Sequence, residues 1–331
     1  METVSCDLCG NTEHRLYVQS CDFINKRSGM FTAVQCKRCG LIFTNPRPEK
    51  TEMTEFYPPS TPYYSCNSAA ASPEKSATGI YTLLLQYFRG YFPDKSSRGI
   101  CKLMLYPLYV FKKQKLDREA IPHYLKGGKL LEIGCSHGKF LFEMKGLGWS
   151  VTGIELSPHA VIVGKKTFGL DLIRNDIEDV ELETNSYDVI IMRMFLEHAY
   201  SPGNVLKKVA QWLKPGGQLI VVVPDISGFE ARLFGKFFYS LHLPNHLYHF
   251  SPRTIRAYLN KYGLRISRIT HHRSDRDFFK SIDNVVKDKK SLFLLRILQI
   301  GFFKIFIRLF FMLMAPLWKT SRMTVFATRD G

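Results

Sequence analysis

Two groups of residues in this 331-residue chain have the types and spacing to do chemistry. The first is Cys6-x-x-Cys9-Gly and Cys36-x-x-Cys39-Gly, two knuckles separated by 26 residues. Four thiolates at that spacing can wrap one tetrahedral Zn²⁺, and the glycine after each pair permits the turn that aims backbone N–H groups at sulfur. Four cysteine ligands leave no open coordination position, so a zinc there is expected to be structural. The second group is the stretch from Lys129 to Leu141, KLLEIGCSHGKFL. It reads as a buried strand ending in an acid, Glu132, then a turn with Gly134 and Gly138, then a helix. Such a turn lets a ligand approach the backbone and meet a helix N-terminus. Its G-x-x-x-G spacing lacks the G-x-G-x-x-G of a dinucleotide site, so a nicotinamide cofactor is disfavoured. Glu155 stands 21 residues after Gly134, about the distance at which an acid reaches ribose hydroxyls in doubly wound folds.

The elements that must position these residues follow from periodicity. Arg15–Val18 and Met30–Gln35 alternate as short strands between the knuckles, and Leu41–Thr44 leaves them as a third, stopped by Pro46 and Pro48. From residue 129 strand and helix alternate. Strands are expected at 130–133, 150–155, 170–173, 187–192 and 218–223, with helices opened by Ser157-Pro158, by Pro202 and by Ser251-Pro252. The helix from Pro202 should reach Leu213, followed by a turn at Lys214-Pro-Gly-Gly. Two final strands are expected at 264–271 and 323–328. This alternation predicts an α/β fold: a Rossmann-like, seven-stranded, mostly parallel sheet with helices on both faces and ligands at the carboxyl ends of its strands. A small N-terminal four-cysteine zinc ribbon and helical basic and apolar insertions complete it. The expected organisation is a ribbon over 1–48, a linker and amphipathic segment over 49–118, and the main domain over 119–331 with an amphipathic insertion at 291–318.

Charge separates the core from its flanks. Residues 129–250 carry 12 basic and 13 acidic side chains, whereas 80–128 carry 9 and 3, and 251–331 carry 17 and 5, within a net charge of +17. An anionic partner, nucleic acid or membrane surface, would meet the flanks. Residues 57–78 read as a Pro/Ser/Ala-rich linker. Residues 80–92 and 100–113 are aromatic, aliphatic and basic together. They are too short to span a bilayer and are interrupted by Pro93 and Pro107, so two short amphipathic helices are expected, either capping the site or lying on a membrane. Leu292–Trp318 is almost wholly apolar but contains Arg296, Lys304 and Arg308, which favours an interfacial over a transmembrane helix. The start has neither a basic n-region nor an apolar run, so no signal peptide is expected. The doubled C-x-x-C suits a reducing cytosol.

At this point the sequence resembles the class I S-adenosylmethionine-dependent methyltransferases. Leu131–Gly138 looks like their first motif, with Gly134 and Gly138 as first and third glycines and Ser136 in place of the second. The resemblance implies S-adenosyl-L-methionine as cofactor. Glu132, Gly134, Ser136 and Gly138 would hold its methionine end, Glu155 and Leu156 its ribose, and Asp176 and Ile177 its adenine. The segment Met192–His198 is similar to the stretch after strand four of the ubiquinone-type enzymes, which places Arg193 on the cofactor side. The ribbon, Leu41–Pro48 and His246–Pro252 extend the likeness to bacterial methyltransferases of sugar and cell-envelope biosynthesis. By that resemblance His198, His246 and His249 are candidate bases, and Glu197 an orienting partner. The implied acceptor is a small-molecule or lipid-linked intermediate at the cytoplasmic membrane face, with an anionic membrane surface as partner and a cytoplasmic or peripheral location. An RNA methyltransferase is the runner-up, disfavoured because no Asn-Pro-Pro-Tyr motif follows strand four. A non-catalytic binding protein on the same fold is the third reading.

Overall fold

The computed structural model describes residues 1–52, 79–91, 98–272, 275–288 and 319–331, with a few helical positions between 303 and 310. The expected linker at 57–78 lies outside the described residues, as does most of the insertion at 291–318.

The N-terminal module is a small antiparallel sheet of β1 (His14–Ser20), β2 (Phe31–Cys36) and β3 (Ile42–Thr44). Gly10 and Gly40 take φ of 73° and 81°, the left-handed conformation that closes each knuckle, and their amides donate to Cys6 O and Cys36 O. Two helices follow, α1 (Ile80–Arg89) and α2 (Arg98–Arg118). Instead of a short helix broken at Pro107, α2 runs 21 residues through that proline. Buried Asp117 near its end accepts from Arg89 of α1 and from Arg268, 151 residues further along the chain. The carboxylate between two guanidinium groups ties the helical hairpin to the sheet and lies below its ordinary pKa, their pull exceeding the cost of its burial.

The central sheet contains β4 (Lys129–Ile133), β5 (Ser150–Glu155), β6 (Ile173–Arg174), β7 (Tyr187–Arg193) and β8 (Leu213–Pro224). Between them stand α3 (Lys139–Gly146), α4 (Pro158–Phe168) and α5 (Pro202–Trp212). After β8 come α6 (Phe229–Phe234), the short strand β9 (Tyr248–His249), α7 (Pro252–Lys261), β10 (Leu264–His271), α8 (Arg276–Asp288) and β11 (Arg322–Arg329). The strand order is β10-β11-β8-β7-β4-β5-β6, and β11 runs antiparallel to both of its neighbours. Strands β4, β7 and β8 are apolar on both faces because helices cover both, and Leu130, Leu131, Ile190, Ile191 and Leu219–Val221 are fully buried. Serine caps open α4, α5 and α7 ahead of a first-turn proline, as the pattern required.

Three boundaries differ from expectation. The third strand is two residues, Ile173–Arg174, and does not begin at Leu170, because Leu170 and Leu172 turn inward to pack on Gly138 and Gly164. The helix from Pro202 ends at Trp212, one residue short of Leu213, where β8 begins. The Lys214–Gly217 turn lies inside β8 as an irregularity against β7: Tyr187 pairs with Leu213 and Val189 with Gln218. The larger finding concerns β9. It pairs with β3, so a strand from the second half of the chain completes the ribbon's sheet in the order β1-β2-β3-β9.

Candidate active site

β4 lies where the chain reverses direction across the sheet, β5 and β6 to one side and β7 and β8 to the other. A crevice opens there at the strands' carboxyl ends. Glu132 is buried in β4. Arg193, at the end of β7, reaches its Oε1 through Nε (2.8 Å) and Nη2 (2.6 Å), and the guanidinium stacks 4.0 Å from the Phe140 ring. Glu132 Oε2 is buried without a partner among the described residues, and burial raises this carboxyl's pKa. Gly134 (φ 70°) sits beneath Phe195, and a Cβ there would come within 2.5 Å of the ring. Gly138 (φ 78°) is the residue before α3 and packs on Leu170. Ser136 has φ 51°, and its amide donates to Glu155 Oε2 at 2.8 Å while Ser157 N donates to Oε1. Glu155 therefore ties the first turn to the end of β5, and burial raises its pKa against the pull of those amides.

Beside the turn is a cavity of about 330 Å³ lined by Glu119, Ser136, His137, Lys139, Glu143 and Arg193, with Ile121, Cys135 and Phe140. Acids and bases share its walls, which suits a zwitterionic amino-acid head. Glu119, His137, Lys139 and Glu143 were not singled out from sequence; Lys139 and Glu143 follow the turn on α3, and only knowing which face of α3 looks into the crevice would have found them. An orphaned buried carboxylate oxygen, a turn whose glycine has no room for a Cβ, and a mixed-charge cavity fit the methionine end of S-adenosylmethionine. Asp176 lies further along the same edge, where its Oδ2 pairs with Lys50 at 2.7 Å. Ile177 is packed in the core, so only its backbone could face a base. Leu156 is 64% exposed at the edge.

The four acid–base candidates form a separate group. Glu197 is fully buried, with neither carboxylate oxygen hydrogen-bonded among the described residues. Burial raises its pKa to about 8. His198 and His246 face each other edge to face at 4.7 Å between ring centroids, and His246 also meets His242 and His249. The Nδ1 of His198 bonds Asn245 O (2.9 Å) and that of His246 bonds Ser240 O (2.8 Å). A carbonyl can only accept, so each ring carries its proton on Nδ1 and presents Nε2 as a lone pair. Burial lowers His198 to about 4 and His249 to about 3, and holds His246 well below the usual imidazole range. One ligand atom each from Glu197, His198 and His246 lies within 4.8 Å of the others, a donor set able to hold a metal ion. None of the four lines the cavity; the segment running from Arg193 through Phe195 to Glu197 connects the two groups.

Cys6, Cys9, Cys36 and Cys39 converge with their sulfurs within 4.8 Å, Cys6 to Cys39 at 3.4 Å and Cys9 to Cys36 at 3.6 Å. Tetrahedral Zn–S bonds of about 2.3 Å put sulfurs roughly 3.8 Å apart, so the cluster fits the ion. Burial pushes the Cys6 and Cys39 thiols up. At Cys36 the Cys39 and Arg38 amides outweigh burial and bring it to about 6. Asp7, inside the first knuckle, accepts from Ser201 Oγ, Gly203 N and Tyr258 OH and docks the module on α5 and α7.

A seven-stranded sheet in this order, with an acid-bearing glycine turn at the reversal point, defines a class I S-adenosylmethionine-dependent methyltransferase domain. Residues 108–269 match the family model described as a methyltransferase domain, and that part of the chain belongs to this family. The ubiquinone biosynthesis O-methyltransferases of Xanthomonas oryzae pv. oryzae and Xanthomonas campestris pv. campestris are each 27% identical over 176 residues, 50% of this chain and 74% of theirs. Among solved structures, an S-adenosylmethionine-dependent methyltransferase from Mesorhizobium loti aligns with TM-score 0.44 and 16% identity, over 65% of this chain and 96% of that one.

Proposed function

We propose that the enzyme transfers a methyl group to a hydroxyl of a small amphiphilic acceptor, a sugar or lipid-linked cell-envelope intermediate met at the inner face of the cytoplasmic membrane. When bound, S-adenosylmethionine supplies an already activated sulfonium methyl, so the chain's own residues have to align the acceptor and take its proton. Glu132, Gly134, Ser136 and Arg193 would hold the methionine end and Glu155 the ribose. The observation that carries transfer to oxygen is Glu197, a buried carboxyl whose two oxygens have no partner among the described residues and whose pKa burial raises to about 8. A base works best when its pKa is close to the working pH. The roles suggested by sequence are therefore reversed: Glu197 takes the proton, and the neutral imidazoles of His198 and His246 orient the acceptor by accepting hydrogen bonds. His249 is held behind His246. The test is methyl transfer from labelled cofactor into an extract of lipid-linked and nucleotide sugars. Label entering an acceptor of this class, and lost in Glu197→Gln, supports the reading; label entering only RNA overturns it.

A metal-assisted form of the reaction is favoured by one observation, the three ligand atoms of Glu197, His198 and His246 within 4.8 Å. Metal analysis separates the two forms. Two ions per chain, falling to one in Glu197→Gln, supports it; one ion in both removes it.

The membrane clause is supported by α2, where Leu103 and Met104 are 76% and 75% exposed, with Tyr106 and Val110 outward and Lys102 and Lys112 beside them. No helix among the described residues is long and apolar enough to cross a membrane. Flotation with anionic vesicles at low salt tests it; protein that stays at the bottom removes the clause. The ion in the ribbon would be a structural zinc.

A further inference from the structure

The ribbon and the acid–base group are 150 residues or more apart in sequence, yet one path of backbone hydrogen bonds joins them. Cys36 N donates to Leu41 O at 2.9 Å, closing the second knuckle onto the start of β3. β3 then pairs with β9, Ile42 opposite His249 and Phe43 opposite Tyr248. At its end Thr44, fully buried, donates from N to Leu247 O (2.8 Å) and from Oγ1 to His246 O (2.7 Å). The other side of Leu247 completes the path: its amide donates to Glu197 O at 2.8 Å. The backbone carrying His246 and His249 is thus held between the ribbon and Glu197. On its remaining sides it is held by His242 O, which accepts from His246 N, and by Ile226 N, which donates to Phe250 O.

The cofactor half has no comparable dependence. Glu132, Gly134, Ser136, Arg193 and Glu155 are held by β4, β5, β7 and one another. Among the described residues, the chain just past the ribbon reaches that half through Lys50, half exposed, which pairs with Asp176 at 2.7 Å and Glu178 at 3.4 Å.

We propose that the ribbon is a metal-dependent positioning device for the acceptor half of the site. Metal occupancy at Cys6, Cys9, Cys36 and Cys39 fixes β3, and β3, through Thr44, fixes His246, His249 and the Glu197 backbone. Loss of the ion would leave a domain that binds cofactor but no longer aligns an acceptor. Ligand thiolates converge only in the folded ribbon, so metal binding and ribbon folding are one equilibrium. The inference rests on the methyltransferase reading for its consequence in turnover, but its structural content does not.

The test uses the full chain, metal-loaded and metal-stripped, with amide exchange, calorimetry with S-adenosylhomocysteine, and turnover read together. Stripping should raise exchange over residues 244–250 at least tenfold, leave exchange over 129–140 unchanged, and keep the S-adenosylhomocysteine Kd within threefold. Turnover should fall at least tenfold and return on adding Zn²⁺. Unchanged exchange over 244–250, or loss of protection over 129–140 as well, overturns the proposal; either result is read without any acceptor and so is separate from failure of the functional assignment. Thr44→Val keeps the ribbon and its ion but removes the bond to His246 O. It should lower kcat several-fold at constant cofactor KM, with Thr44→Ser restoring it; a silent Thr44→Val removes the Oγ1–His246 bond from the path.

Discussion

The cofactor cradle and the acid–base group meet along Arg193–Glu197 but are built in opposite ways. The cradle is local: Glu132, Gly134, Ser136 and Gly138 fall within seven residues, and Glu155 closes on them from the next strand. It keeps an open cavity and charges of both signs. The acid–base group is non-local, with Glu197, His198, His246 and His249 brought together by a strand that pairs with the ribbon. It is buried and its imidazoles are neutral. A site that must bind one constant ligand can be written in a single stretch. A site that must exclude water around a variable acceptor needs walls from several elements, and on the proposed reading one of those walls would be the ribbon.

The largest effects should divide along this boundary. Glu197→Gln keeps size and burial but cannot take a proton, so turnover should fall about 10²- to 10⁴-fold, the usual contribution of a positioned base. Affinity for S-adenosylhomocysteine, measured by calorimetry, should change less than twofold. Wild-type kcat should rise with pH toward a plateau with an apparent pKa about 8, because the carboxyl must ionise to act. A Glu197→Gln enzyme with near-normal turnover would return the proton-transfer role to a histidine.

Gly134→Ala should do the reverse. Its Cβ would come within 2.5 Å of Phe195 at a φ of 70° that L-residues rarely adopt. The turn must move, and cofactor affinity should drop about a hundredfold. Glu155→Ala removes an acceptor for two backbone amides as well as a ribose partner. Hydrogen bonds to a charged group contribute about 1.5–3 kcal/mol, so affinity should fall roughly ten- to a hundredfold. Unchanged affinity in that titration would sink the ribose assignment.

The same contrast explains what could be read from the chain alone. That the knuckles converge, and that Glu132, its glycines and Glu155 gather at one turn, was legible because these residues stand at fixed spacing along the chain. The sheet was legible because its strands are buried on both faces and bounded by Ser-Pro helix starts. The pairing of β3 with β9 was not, since Tyr248-His249 is two residues long and carries no period. The burial that motivates the proposed exchange of roles between Glu197 and the histidines was also hidden. Residue type suggests imidazole as the base, whereas burial, a property of the fold, raises the carboxyl and depresses the rings. Pro107 misled for a related reason: α2 keeps its helix through the proline, and Arg89 of α1 and Arg268 of β10 hold its end at Asp117 from outside the sequence window.

The smallest predicted effect is on stability, and its sign distinguishes the acid from the imidazoles. His198, His242 and His249 have folded pKa values of about 4, 3 and 3, below the ordinary 6.5. Their contribution is complete above about pH 6.5 and is lost as pH falls, because the unfolded chain binds protons that the buried rings refuse. Glu197 works in the other direction. Its folded value of about 8 lies above the ordinary 4.5, so its contribution is present below pH 4.5 and is lost as pH rises toward 8. Among these groups, the imidazoles outweigh the carboxyl below pH 6.5, and above it only the carboxyl contributes. Stability of the metal-loaded protein should therefore peak near pH 6.5 and decline gently to pH 8, by at most about 1.4 kcal/mol per unit for a single proton. Thermal melts of wild type and Glu197→Gln across pH 5–9 check this. The substitution should flatten the alkaline limb and steepen the acid limb down to about pH 4.5, where the carboxyl no longer offsets the imidazoles. An alkaline limb that persists in Glu197→Gln would assign it to another buried carboxyl such as Glu132, whose pKa burial also raises.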